Sequence, residues 1–207
     1  MIIYELISAV LQVLLFGLIP FVVFLITKRN IRGFLKYIGI LKPVRKTIFW
    51  SVVVSIIVLI NGILMPFLFP EILELMTKKG TVAGNLKLMG LSGNTLAILA
   101  ITALIKTSLS EEILFRGFIA KRLIDWLGFN TGNIIQALIF GLMHITLILL
   151  IIEPNYPFLI FVFIFSGLAG YILGFIKERV GNGSIIPGWI AHGLANLISF
   201  YVIAFLL

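Results

Sequence analysis

Six apolar stretches, each about as long as a bilayer is thick, limit what this chain can fold into: residues 6–26, 48–69, 94–109 continuing into 113–127, 132–152, 157–176 and 184–207. About 20 residues rising 1.5 Å each cross the hydrocarbon core, and a backbone in lipid must bond to itself, so spans of this length are helices. Composition agrees, with 61% hydrophobic and 12% charged residues against roughly 45–50% and about 25% in soluble domains. A soluble enzyme, a disordered tail and a disulfide scaffold are thereby excluded. With no cysteine, thiol nucleophiles, Cys-ligated zinc and lipidation at cysteine are excluded too. The expectation is an all-α, polytopic transmembrane helical bundle of about six to eight spans. The first stretch lacks the basic start and small-residue cleavage site of a signal peptide and carries Glu5, so it reads as a span.

The net charge of +8 is read from where the charges lie. Lys28, Arg29, Arg32, Lys36, Lys42, Arg45 and Lys46 fill one loop without an acid. Alternating sides puts Lys121, Arg122, Lys177 and Arg179 on the same face, eleven of the sixteen basic residues in all. By the bias of basic loops toward the cytoplasm this face is cytoplasmic, and the expected location is the cytoplasmic membrane of a prokaryote. The surplus is a topology signal with some attraction to anionic lipid, and no nucleic-acid footprint. Residues 85–93 read as an external loop. The third stretch, interrupted by Lys106, Glu111, Glu112 and Arg116, reads as one long helix. Lys106 is expected to snorkel or to pair with a loop acid. Gly170 and Gly174 form a GxxxG pair suited to close helix packing. No linker or repeat divides the chain, which reads as one transmembrane domain over 1–207.

Ionisable groups within spans are costly and default to functional hypotheses. Here they cluster in Ser110-Glu-Glu-Ile-Leu-Phe-Arg116, Phe140-Gly-Leu-Met-His144 and His192-Gly-Leu-Ala-Asn196. Glu112 and Arg116 are i,i+4 with the acid first, the favourable order for a helical ion pair. Glu111 is turned about 100° away from that pair. Phe140 and His144 repeat the i,i+4 spacing, as do His192 and Asn196. At ~1.5 Å per residue, His144 lies roughly 18 Å in from residue 132 and His192 about 12 Å in from Ser184. One polar pocket inside the membrane can therefore be assembled from three helices. Taken singly, an ion pair is a clamp and a membrane His or Asn is packing glue. A spare carboxylate, two histidines and an Asn together are poorly explained that way. They suit a water activated by carboxylate and imidazole beside donors for an oxyanion. A zinc site of Glu111, His144 and His192 with one open position is an equally open reading of the residues.

The three motifs, in this order on successive hydrophobic segments, resemble those of the CPBP (Abi) intramembrane proteases, which include the type II CAAX prenyl endopeptidases. The resemblance covers residues 94–200, so that 94–207 reads as the core and 1–93 as N-terminal spans without motifs. It implies an endopeptidase with its active site within the membrane, acting on a peptide or membrane-tethered protein near the cytoplasmic face. It further implies that Glu111 and His144 activate the water, that His192 and Asn196 form the oxyanion site, and that Glu112 with Arg116 holds the motif helix. Those roles correspond to a metal-independent glutamate mechanism, favoured over zinc. The chain is shorter than the eight-span prenyl-protease pattern, which weighs on prenylated substrates more than on proteolysis. The competing readings are a non-catalytic binding or immunity protein on the same fold and, ranked last, a small proton-coupled transporter.

Overall fold

The computed structural model describes residues 1–68, 70–151 and 153–207; the expected span ends at Phe69 and Ile152 fall outside them. All regular structure among the described residues is helical: α1 (Ile2–Lys28), α2 (Phe34–Tyr37), α3 (Arg45–Leu68), α4 (Pro70–Met76), α5 (Val82–Met89), α6 (93–127), α7 (Phe129–Leu149), α8 (Tyr156–Val180) and α9 (Ile186–Phe205). Of these, α1, α3, α7, α8 and α9 are long and apolar enough to cross a membrane. The third stretch does form one unbroken helix, α6, whose four charges set it apart from the other five. Hydroxyl and amide caps open several helices: Thr81 accepts from Gly84 N at α5, Ser92 from Thr95 N at α6 and Asn155 from Phe158 N at α8. Each of these satisfies a backbone donor that lipid could not.

Two expectations are corrected. Residues 85–89 lie in helix α5, not in a loop, because Leu86 is buried against Ala83, Leu99 and Ile203. Lys106 neither snorkels nor meets a loop acid; it pairs with Glu5 of α1 at 3.0 Å, and Thr102 donates to the same carboxylate oxygen at 2.9 Å. The GxxxG pair acts as expected. A Cβ on Gly170 would meet Phe140, Ala137 and Arg116 at 3.3–3.4 Å, and one on Gly174 would collide with the Asn133 side chain. α7 and α8 are thus held close enough for Gln136 to donate to Gly170 O at 2.8 Å and Asn133 to Tyr171 O at 3.0 Å.

The three basic segments meet at one end of the bundle. Arg122 lies 3.9 Å over the Tyr37 ring, and Lys121 pairs with Asp125 at 2.8 Å. Between α2 and α3, Gly39 O accepts from Ile185 N at 2.9 Å and Leu41 O from the Ser184 hydroxyl at 2.8 Å. Gly39 stands at φ 79°, and a Cβ there would lie 2.6 Å from Gly183 O, so only glycine suits this seam.

Candidate active site

α6 is widened on both sides of Ser110–Glu111, by π-helical turns over Ile101–Leu109 and Glu112–Ala120. Such turns are rare and concentrate at functional sites. Side chains hold the first one open: Thr107 donates to Thr102 O at 3.0 Å, Ser108 to Ala103 O at 2.6 Å, and Trp189 of α9 to Leu104 O at 2.6 Å. Gln12 of α1 reaches Lys106 O at 2.8 Å from the other side. The helix carrying the two glutamates is therefore fixed from both flanks.

Glu112 and Arg116 are completely buried and paired at 3.2 Å. The Arg116 guanidinium lies 4.0 Å from the centre of the Phe140 ring, which itself packs edge-on to Phe115. On its other side the Phe140 ring centre is 4.5 Å from that of His144 and 6.2 Å from that of His192. Phe140 thus screens the ion pair from the two imidazoles. The same oxygen of Glu112 that meets Arg116 lies 3.3 Å from His192 Nδ1. Its other oxygen faces Gly188, where a Cβ would come within 2.7 Å, so the close approach of α9 depends on that glycine.

Glu111 is buried, and its Oε2 accepts no hydrogen bond. The nearest cationic or ionisable nitrogen is His192 Nε2, at 3.8 Å. His192 therefore stands between the two carboxylates, Nδ1 toward Glu112 and Nε2 toward Glu111. His144 presents Nδ1 to Phe140 O at 2.9 Å. A carbonyl only accepts, so the neutral ring carries its proton on Nδ1 and keeps a lone pair on Nε2. Among the described residues Glu111 and His144 make no direct hydrogen bond or ion pair. Both line one cavity of about 370 Å³, together with His192 and Asn196. The rest of its wall is mainly aliphatic and aromatic, including Val58 of α3, Met76 of α4 and Phe161 of α8.

Asn196 donates from Nδ2 to Thr107 Oγ1 at 3.2 Å and to Ser108 Oγ at 3.3 Å. Both hydroxyls spend their own hydrogens on α6 carbonyls, so both amide hydrogens of Asn196 are engaged. The four residues expected to do chemistry thus meet at one cavity, with Glu112, Arg116 and Phe140 packed behind it. Among the described residues no three His, Asp or Glu side chains are grouped so that they could hold a metal ion, so Glu111, His144 and His192 do not fit a zinc site as they stand.

Thr107, Ser108, Asn133 and Gln136 were not singled out from the sequence. The run Thr107-Ser-Leu-Ser110 just before the glutamates, and an amide pair spaced i,i+3 inside a span, were the available signals.

A family model described as type II CAAX prenyl endopeptidase Rce1-like matches residues 93–198, just over half of the chain. The match takes in all seven residues of the three motifs and leaves out α1 to α5. No curated protein and no solved structure matches.

Proposed function

Because this chain belongs to the type II CAAX prenyl endopeptidase Rce1-like family, we propose that it is an intramembrane endopeptidase that hydrolyses a peptide bond by a metal-independent, glutamate-type mechanism. Membership makes it a membrane protease of the CAAX type; the residue roles are this article's reading. The observation that carries them is the unpartnered, buried Oε2 of Glu111, in a cavity shared with a histidine whose Nδ1 is tied back to its own helix.

A water between Glu111 and His144 would donate one hydrogen to each, to the Glu111 carboxylate and to His144 Nε2. Its oxygen adds to the carbonyl carbon of the scissile bond while Glu111 takes the proton. The carbonyl oxygen, now negative, is held by His192 and Asn196. Asn196 reaches it by exchanging one hydroxyl acceptor on α6 for the oxyanion, so Thr107 and Ser108 keep it poised. The carbon–nitrogen bond then breaks, and the leaving nitrogen takes the proton from Glu111. Glu112 does not touch the reacting atoms. Its pairing with Arg116 and His192 holds the imidazole in place.

The test is cleavage of a panel of membrane peptides by wild type and Glu111→Gln, each metal-free and zinc-loaded. Wild-type cleavage should survive chelation, and Glu111→Gln should lower it by about 10²–10⁴-fold, the usual weight of a positioned acid–base group, with the melting temperature unchanged. Cleavage lost on chelation and restored by zinc would overturn the mechanism. A biological activity fully retained by Glu111→Gln would overturn the enzyme reading in favour of non-catalytic binding.

A further inference from the structure

The cavity that holds the catalytic groups offers nothing to a free carboxylate. Among the described residues lining it, Glu111, His144 and His192 are the only ionisable ones, and none is Lys or Arg. The sequence explains why: no Lys or Arg occurs between Lys46 and Lys78, between Arg122 and Lys177, or after Arg179. α7 and α9 therefore bring no cation to the cavity wall, nor does α3 beyond its first turn. Within the membrane that leaves Lys106 and Arg116, and both are committed. Lys106 faces α1 and pairs with Glu5. Arg116 pairs with Glu112 and lies behind the Phe140 ring.

The remaining polar groups do not replace a cation. Thr81 donates to Met76 O and Lys78 O, and Thr107 is spent on α6. Ser166 and Ser199 add only two hydroxyls to the wall. A carboxylate placed there would lose its water, find no opposite charge, and share the space with Glu111. Lys78 and Lys79 are exposed in the turn just outside Thr81, where they meet a chain only after it has left the cavity.

We propose that the cavity selects an uncharged apolar segment internal to its substrate and rejects a chain end whose free carboxylate would lie inside it. This specificity rests on the protease reading above for its biological meaning, but binding tests it separately. A Leu- and Phe-rich membrane peptide is prepared as the free acid, the methyl ester, the amide, and a form extended past its apolar segment by a polar tail. Affinities are measured for Glu111→Gln in detergent micelles, and cleavage rates for wild type.

The ester, amide and extended forms should bind about tenfold or more tightly than the acid. Ser199→Lys, which places a cation in the wall, should reduce or reverse that preference. Equal or tighter binding of the acid, or no binding of any form, overturns the proposal. The protease reading fails independently. If the expected ranking holds but wild type cleaves no form, the selectivity stands and proteolysis falls. If wild type cleaves the acid best, proteolysis stands and the selectivity falls.

Discussion

The polar residues of the N-terminal spans and those of the motif helices satisfy themselves in different ways. In α1 and α3, Thr27, Ser51 and Ser55 donate to carbonyls three or four residues back in their own helix. In α6 to α9 the bonds cross between helices: Asn196 to Thr107 and Ser108, His192 to Glu112, Trp189 to Leu104 O, and Gln136 to Gly170 O. A hydroxyl bonded to its own backbone tolerates lipid without specifying a neighbour. A bond across helices fixes register and distance, which a reaction centre requires. Glu5 and Gln12 are the exceptions in α1, and both reach toward α6. What the N-terminal spans contribute by crossing bonds goes to the helix that carries Glu111.

Substitutions can break this contrast, and the largest effect belongs to the most buried crossing group. Arg116→Ala strands the Glu112 carboxylate and should cost about 3–5 kcal/mol of stability, read as a lowered melting temperature in detergent. Wild-type melting in that variant would remove the ion pair from the framework of the site. Next comes Asn196→Ala, with turnover down by about 10²-fold, the scale of losing one oxyanion donor, while the protein stays folded. If the protein unfolds instead, Asn196 is a strut between α6 and α9 and no oxyanion group.

Gly188→Ala sharpens the comparison, because it adds one methyl group against Glu112 without touching the cavity. It should destabilise by about 1–3 kcal/mol through overpacking, and unchanged stability would show that α9 can back away from α6. Smallest of all, Ser51→Ala and Ser55→Ala in α3 should stay within about 0.5 kcal/mol of wild type. A larger loss in either would mean that those hydroxyls bond across helices after all.

The spans and the motif residues were legible because both follow from simple spacing. Apolar runs of bilayer length declare themselves, and i,i+4 spacing put Glu112 with Arg116 and Phe140 with His144. Partnership across helices has no such period. Nothing in the sequence says that Lys106 turns to Glu5 a hundred residues away, or that His192 stands between two carboxylates. The short helices α4 and α5 were also hidden, since seven or eight residues show too little periodicity, and the asparagine and glycines around Leu86 suggest a turn. The π-helical turns of α6 were out of reach for a further reason: they depend on Trp189 and Gln12 arriving from other helices.

The seam at Gly39 and Leu41 bears on how the chain is made. The Ser184 hydroxyl that bonds to Leu41 O is 143 residues further along, so the segment after α2 emerges from the ribosome long before its partner exists. Until the last helix has been inserted, those carbonyls stay hydrated at the membrane edge. The first spans must therefore enter the bilayer as independent helices, and the clasp that joins them to α9 is among the last parts of the fold to close.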